Sequence, residues 1–111
     1  MKIIGPKAYI HLDRLRNNLN IIKKEVKDIP LMCVIKADAY GHGAKIISKV
    51  IANEDRNILF AVFSIDEALE LRDSGIENDI LIFSCLQENW LDISFELNLI
   101  VTASRLDDLV L

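Results

Sequence analysis

The sequence predicts an α/β fold built from parallel βαβ units, and three observations carry that prediction. Leu31–Ile35, Ile58–Phe63, Ile80–Phe83 and Leu99–Val101 are continuous apolar runs without polar alternation. Strands buried on both faces of a helix-covered parallel sheet read this way. Between the runs lie segments whose apolar residues recur every three or four positions, the period of a helix. The strand-to-strand spacing of about twenty residues suits right-handed βαβ crossovers.

Taken in order, Ala8-Tyr9-Ile10-His11-Leu12 alternates apolar and polar residues and predicts a short opening strand. Asp13 then stands where a helix N-cap is expected. Leu12, Leu15, Leu19, Ile22 and Val26 form the apolar stripe of a helix over 13–27, with Lys23 and Lys24 near its C-terminal dipole. Pro30 closes the connection to the first apolar run. A second helix over 45–52 carries Ile46, Ile47, Val50 and Ile51. A third, over 65–73, carries Ala68, Leu69 and Leu71, with Ser64 or Asp66 as cap and Gly75 as terminator. A weaker helix is expected over 88–96. Another begins near Ser104 and carries Leu106, Leu109, Val110 and Leu111. Four such strands are the first half of a (β/α)8 TIM-type barrel, which usually takes about 250 residues. An open half-barrel exposes sheet edges, so residues 1–111 are expected to be part of a longer chain. A small open doubly wound sheet is the alternative.

Composition narrows the function classes. With 51% hydrophobic residues and a mean hydropathy of +0.25, the chain is too apolar for intrinsic disorder. A net charge of −4 gives no reason to expect nucleic acid or an anionic membrane as the main partner. No apolar run approaches the ~20 residues of a membrane span. Met1–Pro6 has no long apolar stretch of a secretory signal, which leads to the expectation of a cytoplasmic protein. Cys33 and Cys85 lie far apart in apolar stretches and are expected to be buried, reduced thiols.

The chemistry centres on Lys36. It follows Val34-Ile35 at the carboxyl end of a predicted strand, where parallel α/β folds form active sites. Apolar neighbours there disfavour the ammonium and free an amine for Schiff-base formation, whereas a lysine that snorkels to solvent is the plain alternative. Ala37-Asp38-Ala39-Tyr40-Gly41-His42-Gly43 follows, a short glycine-bearing loop leading into a helix. It suits an anion at a helix N-terminus or an ordinary turn. Tyr40 either donates its phenol to a phosphate or packs in the loop. His42 is expected to make a structural hydrogen bond, since no second His, Cys or carboxylate stands at metal-ligand spacing. His11 reads as a surface or interface residue. Asp66, Glu67, Glu70 and Arg72 read as a solvated helix face with a capping role. Trp90 and Phe95 read as core or oligomer contacts.

Val34-Ile35-Lys36-Ala37-Asp38-Ala39-Tyr40-Gly41-His42-Gly43 resembles the pyridoxal-phosphate attachment signature of alanine racemases. The resemblance extends to Tyr9-Ile10-His11-Leu12-Asp13 with Leu15 and Asn18. It continues through Ala61-Val62-Phe63-Ser64, Asp66 to Arg72, Gly75-Ile76 and Ile80 to Phe83. Cys85-Leu86-Gln87 departs from a stretch often richer in Gly and Pro. The resemblance implies the N-terminal part of a cofactor-binding barrel, with the family's C-terminal β-domain lying outside these residues. It implies that Lys36 forms the Schiff base with pyridoxal 5'-phosphate and acts as base on one face of the substrate α-carbon. Tyr40 would hydrogen-bond the cofactor phosphate. It further implies interconversion of L- and D-alanine for peptidoglycan and a homodimer whose partner supplies the opposite-face tyrosine. A fragment lacking that tyrosine would not racemise by itself.

Other readings come from different classes. Racemases of serine or of broader scope share the motif. A short pyridoxal-phosphate-binding protein without racemase activity shares the barrel and lysine, although the residues after Lys36 follow the racemase pattern more closely. A non-catalytic interaction domain would not bind the cofactor. A cofactor-free aldolase would need acid/base groups at neighbouring strand ends, where Ser64 and Ser84 serve poorly.

Overall fold

The computed structural model describes residues 4–110. Four strands, β1 (Met32–Val34), β2 (Leu59–Val62), β3 (Ile80–Cys85) and β4 (Leu99–Thr102), form one sheet. All pairings are parallel and the strand order is β1-β2-β3-β4. A doubly wound sheet reverses its order at a switch point, whereas this order steps one way, as in a barrel. The helices are α1 (Leu12–Val26), α2 (Ala44–Glu54), α3 (Ile65–Asp73) and α4 (Leu91–Glu96). A 3-10 turn, Glu88–Trp90, leads into α4.

The core lies between the sheet and its helices. Ile35, Phe60, Val62, Ile80 and Ile82 meet Leu19, Ile47, Ile51, Ala68 and Leu71, all with exposures of 9% or less. Each large apolar side chain buried this way contributes about 1.5–3 kcal/mol. On the opposite face, Val34, Ala61, Leu81 and Ile100 stand in one row across the four strands. The expected two-sided burial therefore applies only to β2. Met32, Val34, Phe83 and Ile100 are 40–46% exposed, because no described element covers their face.

The opening strand expected over 8–12 does not form. Tyr9 and Ile10 are exposed and have no strand partner among the described residues, and alternation alone cannot supply a ladder. Helix α1 instead begins at Leu12, with His11 rather than Asp13 at the N-cap and Asp13 in the first turn. His11 is exposed, as expected. Ile22 turns outward, while Lys23 folds under and pairs with Asp55 at 3.1 Å. Near Ser104 the expected α-helix is a 3-10 turn, Leu106–Val110, with Leu106, Leu109 and Val110 exposed; Leu111 lies outside the described residues. The buried Asp108 carboxylate accepts from the Ser104 and Arg105 N–H groups and holds that turn.

The amino-terminal end of the sheet is fastened by Arg72. Its guanidinium donates to the carbonyls of Leu97 (2.8 Å), Ile76 (2.7 Å), Asn78 (2.8 Å) and Asn98 (3.2 Å). Arg72 is thus half-buried rather than part of a solvated face, and that burial pulls its pKa below the ordinary range. Asn78, itself buried, donates to the Ile58 carbonyl at 2.8 Å. Helix α3 has Ser64 as N-cap and closes with Gly75 N–H donating to Arg72 O and Ile76 N–H to Leu71 O, as its sequence predicts.

Candidate functional site

Lys36 stands at the carboxyl end of the sheet. Ile35 is still in the ladder, its N–H donating to Ala61 O at 2.9 Å, and Lys36 is the next residue. The five residues Lys36–Tyr40 make one helical turn of unusual hand. Ala37, Asp38 and Ala39 have φ of 53–55° and ψ of 40–46°, and Tyr40 has φ 53°. A Cβ in this left-handed region crowds the following carbonyl, at about 1–2 kcal/mol for each residue. Such runs persist only where the surroundings enforce them, and they concentrate at functional sites.

The enforcement comes from two carboxylates and the following glycines. Glu67 Oε1 accepts from Ala37 N–H at 2.8 Å, and Oε2 accepts from Phe63 N–H at 2.6 Å. One side chain of α3 therefore ties the segment after β1 to the end of β2. Asp38 Oδ1 accepts from Ala44 N–H at 2.8 Å and caps the first turn of α2. His42 Nδ1 donates to Ala39 O at 2.8 Å, the structural bond expected of it. Gly41 and Gly43, at φ 85° and 94°, continue the chain through positive φ without a Cβ penalty and deliver it to α2.

Lys36 and Tyr40 thus lie at the two ends of one enforced turn. Among the described residues neither the Lys36 ammonium nor the Tyr40 phenol has a protein partner, and Tyr40 is 67% exposed. Lys36 is half-buried at an open sheet end, not enclosed in an apolar cavity. Clefts of about 410 and 510 Å³ open around Asn53, Arg56 and Gly75 to Asn78, and around Lys23, Pro30 and Asp55, by the segments that enter the strands, whereas the Lys36 turn leaves one.

Some sequence expectations change here. Glu67 is no free surface carboxylate, and Asp38, which carries no motif of its own, caps α2. The Ser64-x-x-Glu67 spacing signals a capping box, but a bond spanning 30 residues to Ala37 leaves no local trace. Phe95 is 87% exposed and not core. Cys85 is exposed at the end of β3, where Ser104 Oγ donates to its sulfur at 3.4 Å. Cys33 is half-buried, and burial pushes its thiol pKa up.

A family described as "Alanine racemase, N-terminal domain" matches residues 10–110. The chain belongs to the alanine racemase family. Alanine racemase 1 of Caldanaerobacter subterraneus subsp. tengcongensis is 47% identical over 75 residues, covering 67% of this chain and 19% of that protein. Alanine racemase of Streptococcus equi subsp. equi is 36% identical over 101 residues, 90% of this chain and 27% of that protein. Among solved structures, alanine racemase of Clostridium difficile 630 superposes with a TM-score of 0.79 at 37% identity, over 87% of this chain and 26% of that one. The Oenococcus oeni alanine racemase gives 0.79 at 28% identity, over 89% and 28%. The chain therefore spans about a quarter of the relatives it matches over most of its length. Its four parallel strands and alternating helices are the N-terminal part of the alanine racemase barrel.

Proposed function

We propose that residues 1–111 are the lysine-bearing, N-terminal part of a pyridoxal 5'-phosphate-dependent alanine racemase, with the C-terminal β-domain outside them. The observation that carries this reading is a lysine at a strand's carboxyl end, without a partner among the described residues, in a chain that matches the racemase family over residues 10–110. The residues present suit the cofactor. A primary amine is available for its aldehyde, and the exposed Tyr40 phenol is a donor for its phosphate. At the end of β3, the shielded Ser84 hydroxyl has no partner among the described residues.

Pyridoxal phosphate, when bound, supplies an electron sink for the electrons left on the substrate α-carbon. Lys36 would take the α-proton from one face of the substrate, the opposite-face group would deliver a proton to the other, and in the reverse direction the two would exchange roles. Tyr40 would hold the cofactor phosphate and so keep the lysine side of the substrate facing Lys36. The opposite-face acid/base belongs to the remainder of the enzyme and its partner subunit. The whole enzyme is a cytoplasmic homodimer that interconverts L- and D-alanine and supplies D-alanine for peptidoglycan. The 111 residues by themselves are expected not to racemise alanine, and cofactor-dependent turnover by them would overturn that expectation.

The test is incubation with pyridoxal phosphate, borohydride reduction and peptide mapping by mass spectrometry. A stable adduct confined to Lys36, and abolished in Lys36→Ala, is the expected result. Equal labelling of surface lysines such as Lys24 and Lys45 would overturn the cofactor reading.

A further inference from the structure

We propose that Glu67 is the positioning residue of the Lys36 segment, holding the lysine in place from the second βα unit. The inference rests on the reading of Lys36 as the cofactor lysine. Glu67 occupies the third position of α3, where a capping-box glutamate normally reaches back to the N-cap backbone. Here Oε2 reaches one residue further back, to Phe63 N–H, which leaves Oε1 free for Ala37 N–H. Ala37 is both the residue after Lys36 and the first of four consecutive positive-φ residues. A carboxylate at that N–H therefore acts where the chain leaves the right-handed and extended regions. Without it, the strained turn loses the contact that fixes its first residue to the sheet, and Lys36 gains the freedom to move with Ala37. Asp38 secures only the other end of the turn, at Ala44.

This role is separable from helix capping. A glutamine at 67 keeps one oxygen, enough for a capping box, but the Ala37 and Phe63 N–H groups meet different oxygens, and one of them would face the amide NH2, which only donates. Ser64→Ala removes the cap and leaves both carboxylate oxygens in place. The experiment compares E67Q, E67D and S64A with the unsubstituted chain. Three readouts are used: thermal unfolding, borohydride-trapped labelling of Lys36 across a pyridoxal phosphate titration, and amide NMR at Ala37 and Phe63.

E67Q is expected to fold and to raise the pyridoxal phosphate concentration for half-labelling of Lys36 about 3–10-fold. It should also weaken the strong intraresidue HN–Hα contact that marks positive φ at Ala37. S64A is expected to lower the unfolding temperature without changing either Lys36 labelling or the Ala37 signal. E67D should restore labelling partially, since it keeps two oxygens on a shorter arm. Labelling of E67Q equal to that of the unsubstituted chain would overturn the proposal, as would an equal loss in S64A. If the unsubstituted chain shows no selective Lys36 labelling, the cofactor reading fails. The Ala37 signal then decides alone, and its persistence unchanged in E67Q overturns the positioning role.

Discussion

The two ends of the sheet are held together by opposite means. At the amino-terminal end one cation, Arg72, gathers four backbone carbonyls and Asn78 satisfies a fifth, and of these five carbonyl-bearing residues Asn98 alone is left-handed, at φ 51°. At the carboxyl-terminal end two carboxylates, Glu67 and Asp38, gather backbone N–H groups around a turn of four left-handed residues. The first arrangement lowers free energy with little distortion. The second spends interaction energy on maintaining a costly conformation, and among the described residues Lys36 and Tyr40 have no side-chain partner. The fold thus gathers four consecutive left-handed residues at the end that carries Lys36 and fastens the other end with a single guanidinium.

The strongest way to break this contrast is Arg72→Met. Leaving several carbonyls unpaired is expected to cost about 2–4 kcal/mol, read as a lower urea midpoint at unchanged slope. The folded fraction should still label at Lys36. If labelling falls in step with stability, the two ends are one cooperative unit and the contrast fails.

Ala37→Gly sharpens the comparison from the other end. Glycine relieves the left-handed strain but loses more freedom on folding, so a net gain of about 0.5–1 kcal/mol is expected. The same substitution at Ala68, in the middle of α3 and fully buried, should destabilise by at least about 0.5–1 kcal/mol. Urea unfolding of both variants checks the opposite signs.

The smallest effect concerns the Lys23–Asp55 pair. Asn57 N–H first, and then the Lys23 ammonium, hold the Asp55 carboxyl below its ordinary pKa. A lowered folded pKa means that this stabilisation is complete above the ordinary carboxylate value and is lost as pH falls through the folded one. For a pair this open to water the loss is expected to stay below about 1 kcal/mol. Unfolding at about pH 6 and about pH 3 should show a smaller difference in Asp55→Asn than in the unsubstituted chain.

Much of this was legible in the sequence because it is local or periodic. The four apolar runs became β1 to β4, and the stripes over 45–52 and 65–73 became α2 and α3. The opening strand failed because pairing needs a neighbour that Ala8 to Leu12 does not have among the described residues. Burial of both sheet faces failed because apolar runs report the character of a strand and not what covers it. Near the expected site, the place of Lys36 directly after β1 was legible from the apolar run before it, whereas Glu67 was readable only as a cap.

By itself the sequence determined the alternation of strands and helices along the chain and the position of a lysine after the first sheet strand. These follow from periodicity and from residues close in the chain. Only the tertiary structure decided that the strand order steps one way, that Glu67 reaches Ala37, that Arg72 collects carbonyls from two separate loops, and that Ala37 to Tyr40 are left-handed. Each depends on groups brought together by sheet pairing, and a non-glycine residue enters the left-handed region only where such groups hold it there.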